Sequence, residues 1–494
     1  MESNNRLKKV ITVKNLLCLF MIICPILDAS SFIFRNYFNT SLSISTILRP
    51  IIPIIVIIYL FFKDKIKIPL IISGMLYGIY AVIHLYIFKG LITESSYGGI
   101  TRELQYLVNY TFMIINLFNY LYVFVFREKD EINRKNNIEK LRMSMLISFT
   151  IYIVLVFIAI LSGTSSHTYL EDKMGYKGWF ESGNSVGAIM LLMFFNILPL
   201  IGKNNNKVIR IWALIDLILS GIYLTTLLGT RVGLFGFLLV IFIYAVVSIL
   251  INTYHNKKIS KKIVTIAAGI FLIMSIVVAL FGSVTITRRK LLNEREDLIY
   301  DDQIGESAHV TGDILNIVKE INNNEIDEDY MSKETQRALI DLYNYNNEHK
   351  IPYTNMRTLQ FVYHTELVKE QKDIGLILFG NGYMSHFYEL IFEMEVPAFL
   401  CNFGIYGFIL YFVPFFIITV YGVYIGIKYI KRINIKFAMS ILSLCFAIVV
   451  SFLSGYTFFN SSAATTITII ATIVILESIK VKGENYEKDN IWNN

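Results

Sequence analysis

The sequence predicts an all-α, polytopic membrane protein of about twelve transmembrane helices that carries one large helical extracytoplasmic loop, and three observations lead there. Hydrophobic residues make up 55% of the 494, and mean hydropathy is +0.55, well above a water-soluble domain. The apolar residues are gathered into uncharged runs, among them 16–27, 51–62, 146–161, 234–251, 263–281, 405–427 and 438–453. Several of these reach the ~20 residues that cross a bilayer once their flanks are counted. The basic residues, finally, collect in short connections between the runs, so the net charge of +7 reads as membrane topology and not as a nucleic-acid surface.

Taken in order, spans are expected near 13–34, 45–62, 68–88, 103–126, 143–162, 183–202, 208–228, 232–252, 264–283, 396–427, 437–456 and 459–479. The first follows a basic N-terminus in the manner of a signal peptide. Pro25, Asp28 and Phe32 stand where a small-residue cleavage pattern would lie, so an uncleaved helix is expected. The four cysteines, Cys18, Cys24, Cys401 and Cys445, fall inside apolar segments, which argues against a disulfide or metal framework.

With these spans both termini share a side. Connections and helix ends on that side hold 27 Lys and Arg, against seven on the other (Arg35, Arg49, Lys89, Arg102, Lys173, Lys177 and Arg231). The positive-inside bias therefore places both termini in the cytoplasm. The organisation expected is transmembrane helices 1–9 over 1–283, an extracytoplasmic helical cap over 284–395, helices 10–12 over 396–479, and a cytoplasmic tail over 480–494. The hydrophilic stretch 284–373 carries 18 Asp and Glu against 11 Lys and Arg, so the cap is acidic. Helical patterns follow Thr311, Ser332 and Asn355.

Charges at helix ends on the external side are costly to desolvate and mark candidates for function. Arg231, in LLGTRVGLFGF, lies between two apolar runs with almost no loop. Its guanidinium suits a phosphate or pyrophosphate through paired hydrogen bonds; the alternative is a side chain reaching to lipid headgroups. Arg357 follows Asn355, a potential N-cap, and so lies in a first helical turn where free N–H groups favour an anion. A surface salt bridge fits its position equally. Arg288, Arg289 and Lys290 continue the ninth helix and either face the same cavity or anchor to headgroups. After the turn Gly380-Asn381-Gly382, His386, Glu389 and Glu393 would share one helix face, with Glu395 just before the tenth span. A histidine among carboxylates there could serve as general base toward a sugar hydroxyl, or be structural. Gly404 and Gly407 permit close helix packing. No nucleotide-phosphate loop, zinc motif or nucleophile elbow appears; GTSSHTYL and ESGNSVGAI hold serines without a placed base.

Four segments together resemble the O-antigen polymerase and O-antigen ligase superfamily, the Wzy and WaaL type of membrane glycosyltransferase. They are YKGWFESGNSVGAIMLL, LLGTRVGLFGFLL, NMRTLQFVY, and ILFGNG followed by FEMEVPAFLCNFGIYGFILYF, spanning roughly 175–415. The resemblance implies a GT-C-like arrangement and a metal-independent transferase without cofactor, which takes an undecaprenyl-pyrophosphate-linked glycan at the outer face of a bacterial cytoplasmic membrane. It implies that Arg231 and Arg357 grip the pyrophosphate, that Asn184, Arg288 and Arg289 add substrate contacts, and that one of His386, Glu393 and Glu395 positions or deprotonates the acceptor hydroxyl. Its partners would be the lipid-linked oligosaccharide, the bilayer, and a chain-length regulator and flippase. The AT-rich residue usage, heavy in Ile, Asn and Lys, tips the expectation toward a polymerase of capsular, O-antigen or teichuronic-acid-like polysaccharide. A ligase with another acceptor remains open, as does a flippase or exporter, although no internal repeat and one long external segment weigh against the latter.

Overall fold

The computed structural model describes residues 12–40, 44–64, 66–170, 172–202, 206–254, 265, 268–269, 272, 276, 283–300, 311–351, 355–387, 390–455 and 457–491. In chain order the helices are α1 Val13–Tyr37, α2 Ile44–Lys63, α3 Lys67–Lys89, α4 Ile100–Leu121, α5 Glu131–Leu161, α6 Gly183–Ile197, α7 Lys207–Ile222, α8 Arg231–Tyr254 and α9 Val284–Tyr300. There follow α10 Thr311–Asn322, α11 Lys333–His349, α12 Met356–Gln371, α13 Ile374–Phe379, α14 Glu395–Asn402, α15 Gly404–Tyr411, α16 Val413–Lys428, α17 Ile435–Leu453 and α18 Ser461–Ile491. One antiparallel hairpin, β1 Ser166–Tyr169 and β2 Met174–Gly178, joins α5 to α6. Among the described residues nine helices are long and apolar enough to cross a membrane, and the bent pair α15–α16 would make a tenth. The protein is thus an all-α, multi-pass membrane protein; its expected ninth span, 264–283, lies almost wholly outside the described residues.

Helices α6 and α18 form the centre, nearly all of their spanning length buried, with α4, α5, α8 and α17 packed around them. The sequence of α18 explains its place. Its first half is Ser, Ala, Thr and Ile, small enough for close approach, and the hydroxyls of Thr465, Thr466 and Thr472 bond back to carbonyls four residues earlier, leaving no orphan donor among them. Helix α3 is the opposite case, with Ile68, Ile71, Met75, Ile79, Val82 and Tyr86 exposed as a lipid-facing surface would be.

Three expectations need correction. The tenth span, expected as one helix over 396–427, breaks at residues 403–404 and bends by 50° between α15 and α16. Gly404 sits at φ +68, and Pro414 lacks the N–H that would bond the carbonyl of Leu410. The Leu410 carbonyl so exposed is met by the Tyr77 hydroxyl at 2.8 Å, while the Phe403 carbonyl keeps its bond from Gly407 N–H and also accepts from the Tyr80 hydroxyl at 2.7 Å. The basic connection 127–142 is mostly helix, because Asp130 caps α5 from Glu131 onward. The chain over 380–394 is irregular among its described residues and so forms no helix aligning His386 with Glu393; Glu389 lies outside those residues.

Ser332 caps α11 as expected, whereas Asn355 precedes α12 without a side-chain cap bond; α10–α12 build a core of their own from Ile314, Val318, Leu339, Leu342, Leu359, Tyr363 and Leu367. This helical insert docks on the membrane bundle through the 91–99 connection: Tyr97 N–H donates to His386 O and Gly98 N–H to Met384 O, both at 3.1 Å. Beneath it, Glu103 at the head of α4 is fully buried and accepts from the N–H groups of Tyr383 and Met384 and from His84.

Candidate active site

Arg231 is the first residue of α8, behind the N-cap Thr230, whose hydroxyl accepts from Gly233 N–H at 3.1 Å. The turn ahead of it is held by side chains from two other elements. Thr168 of β1 donates to Leu228 O at 2.7 Å, Tyr169 to Gly229 O at 3.3 Å, and Thr285 of α9 to Thr230 O at 3.3 Å. Gly229 stands at φ +85, which lets the turn close between the π-helical end of α7, Tyr223–Leu227, and α8. Arg231 itself is exposed.

Helices α9 and α12 bring further guanidinium groups to this place. Arg231 lies within electrostatic reach of Arg288, Arg289 and Arg357. Arg288 stacks on the Tyr169 ring at 3.4 Å and pairs with Asp172 at 3.5 Å. Arg357, in the first turn of α12, pairs with Glu393 at 3.4 Å. One turn further, Gln360 accepts from the Glu393 N–H at 3.0 Å, so α12 holds both the side chain and the backbone of Glu393. Neither Arg231 nor Arg289 has a carboxylate at ion-pair distance among the described residues. Four arginines thus stand against two carboxylates, and a dianion would cancel the excess.

The acid and base candidates part company. Glu393 is half-exposed beside Arg357. Glu395 is fully buried and turned the other way, accepting from the N–H groups of Thr457, Phe458 and Phe459 and from the Thr457 hydroxyl. It anchors the turn between α17 and α18. His386 is buried inside the base of the helical insert, its ring 4.3 Å from that of His364. Burial pushes its pKa down to about 4, so the ring is neutral and a poor proton acceptor at pH 7. Asn184 lies in the first turn of α6, capped by Ser182, and Lys290 is exposed on α9.

The hairpin that fixes Arg231 and Arg288 has only a weak signature in the sequence, the Thr168, Tyr169 and Tyr176 side chains that strands favour. Glu103, a lone carboxylate at the entry of an apolar helix, was detectable on the same reasoning that singled out Arg231. A family model described as "O-antigen ligase like membrane protein" matches residues 11–480. No curated protein matches the chain with significance.

Proposed function

The chain belongs to the O-antigen ligase like membrane proteins, and from that premise we propose that it polymerises a surface polysaccharide from glycans linked to a polyprenyl pyrophosphate such as undecaprenyl pyrophosphate. As a member of that family it is a membrane enzyme of surface polysaccharide assembly. The observation that carries the finer reading is the convergence of Arg231, Arg288, Arg289 and Arg357 from three separate elements. A pyrophosphate diester bears two negative charges, and the cluster exceeds its own carboxylates by two.

In the reaction proposed, an acceptor hydroxyl oxygen attacks the anomeric carbon of the donor sugar. The bond from that carbon to the pyrophosphate oxygen breaks, and polyprenyl pyrophosphate leaves with the electron pair. Arginines already in place stabilise the charge that grows on the leaving oxygen without reorganising. The hydroxyl proton passes to a base, and Glu393, at the edge of the cluster and open to solvent, is the group assigned to it. The site would face outward and draw the lipid sideways from the bilayer, with neither nucleotide nor metal. Transfer to a different acceptor is the second reading, favoured by the family's description as ligase-like.

The test is chain growth by purified protein supplied with native lipid-linked repeat units and no nucleotide, read as a glycan ladder. The wild type should extend chains while Arg231→Ala and Arg357→Ala should not. Full-length polymer from both variants would sink the assignment.

A further inference from the structure

Where α1, α2, α6 and α18 meet, a cleft of about 60 Å³ opens between side chains that the transfer chemistry above does not use. Asp28, Arg49, Phe180, Glu181, Ser185 and Asn460 line it. Arg49 donates to Asp28 and to the hydroxyls of Ser461 (2.6 Å) and Ser462 (2.9 Å), and Tyr152 donates to Asp28 at 2.5 Å. Glu181 pairs with Arg35 at 3.3 Å. Each carboxylate thus has its own guanidinium, that of Glu181 being Arg35 just outside the lining, so the neighbourhood is neutral while the lining presents both donors and acceptors. Two buried atoms of lining residues lack a partner, Ser185 Oγ and Arg49 Nε. A buried polar atom without a bond costs roughly 1–3 kcal/mol, which marks a place for a ligand to complete.

The chemistry selects the ligand. An anion would meet two carboxylates, and an apolar group would strand the polar atoms. Hydroxyl groups, each able to donate and accept, suit the mixed lining. The volume holds a few waters at ~10–15 Å³ apiece, so it would take one hydroxyl-bearing edge of a sugar and not a whole ring.

The cleft is also joined to the arginine cluster. Gly183 of α6 packs so closely on Thr168 that a Cβ there would lie 2.7 Å from its methyl group, and Thr168 holds the turn that presents Arg231. We infer that this cleft is a subsite for the hydroxyl edge of an uncharged sugar, and, resting on the transferase reading, that it seats the acceptor glycan while the arginines hold the donor's pyrophosphate.

Two probes separate the sites: the soluble oligosaccharide released by mild acid from native lipid-linked repeat units, and inorganic pyrophosphate. Binding of each to the full-length protein in detergent would be measured for the wild type and for Ser185→Ala, Glu181→Ala and Arg231→Ala. Loss of one hydrogen bond should weaken oligosaccharide binding about fivefold or more in the first two variants and leave pyrophosphate binding unchanged. Arg231→Ala should do the reverse. Glu181 lies at the surface, so Glu181→Ala carries the test if Ser185→Ala disturbs folding, which lost pyrophosphate binding would reveal. Wild-type binding of the oligosaccharide that neither cleft variant alters, or no binding at all, overturns the subsite. Pyrophosphate binding indifferent to Arg231→Ala, with the cleft effects intact, overturns the donor reading alone.

Discussion

Arg231 owes its role to two things at once, its guanidinium and its place as the first residue of α8, where the free N–H groups of the helix add partial positive charge. Lysine would keep the charge and lose the planar fork. Arg231→Lys should therefore retain some turnover, about tenfold down, whereas Arg231→Ala should fall by roughly 100-fold or more, as expected for charge-assisted bonds of ~1.5–3 kcal/mol. Initial rates of chain growth would check both. Glu393 and Glu395 make a sharper pair. Glu393→Gln should abolish most turnover, by ~100-fold or more, with the melting temperature unchanged. Glu395→Gln should lower the melting temperature, because the amide keeps one acceptor oxygen and turns the other into an NH2 donor, so the donors on one side, Phe458 N–H and the Thr457 hydroxyl or the N–H groups of Thr457 and Phe459, lose an acceptor worth roughly 1–3 kcal/mol each when buried. Equal thermal stability of the two variants would contradict this division. The arginines were legible in the sequence because a charge beside an apolar run must have a reason. The two glutamates were not separable there: they stand two residues apart, and which one turns inward is decided by where α14 starts and by a turn sixty residues away.

The elements most visible in the sequence are those whose reason is local. Ser332 caps α11 with its hydroxyl, as its side-chain chemistry suggests, and the long apolar spans follow from hydropathy alone. The breaks depend on distant partners. Pro414 within an apolar run is tolerated in a membrane only if the carbonyl it abandons finds a donor, and Tyr77, on α3, is that donor. Tyr77→Phe should cost about 1–2 kcal/mol of stability, seen as a lower melting temperature in detergent, while Tyr86→Phe, on the exposed face of the same helix, should cost nothing measurable. The hairpin β1–β2 is likewise a tertiary device. Its strands are four and five residues long, too short to stand alone, and they persist because Thr168 and Tyr169 bond the turn before α8. Tyr169→Ala removes both that bond and the ring beneath Arg288, and should raise the Michaelis constant for lipid-linked donor about tenfold with little change in thermal stability.

At the scale of the whole molecule, the helical insert and the membrane bundle meet through a small number of polar contacts, and the insert encloses two histidines that stay uncharged. His386 and His364 are buried face to edge, and burial depresses both, His386 to about 4 from the ordinary 6.5. The sign follows from proton uptake. Well above pH 6.5 neither the folded nor the unfolded chain protonates these rings, and they add no pH dependence. Between 6.5 and about 4 the unfolded chain gains protons that the folded insert refuses, so stability falls as pH falls, by roughly 3 kcal/mol for a shift of this size at His386. If the insert lies outside the cytoplasm, as the charge bias of the connections predicts, it meets this range whenever the surroundings turn acidic. Hydrogen exchange of the segment 356–387 should therefore quicken between pH 7 and pH 5 after correction for intrinsic rates, while exchange in α6 and α18 stays constant. In His386→Phe, which keeps an aromatic ring in the apolar site, about half of that dependence should vanish, His364 keeping its own share. Exchange in the insert that is independent of pH, or as steep in His386→Phe as in the wild type, would mean that the buried ring does not set the insert's stability.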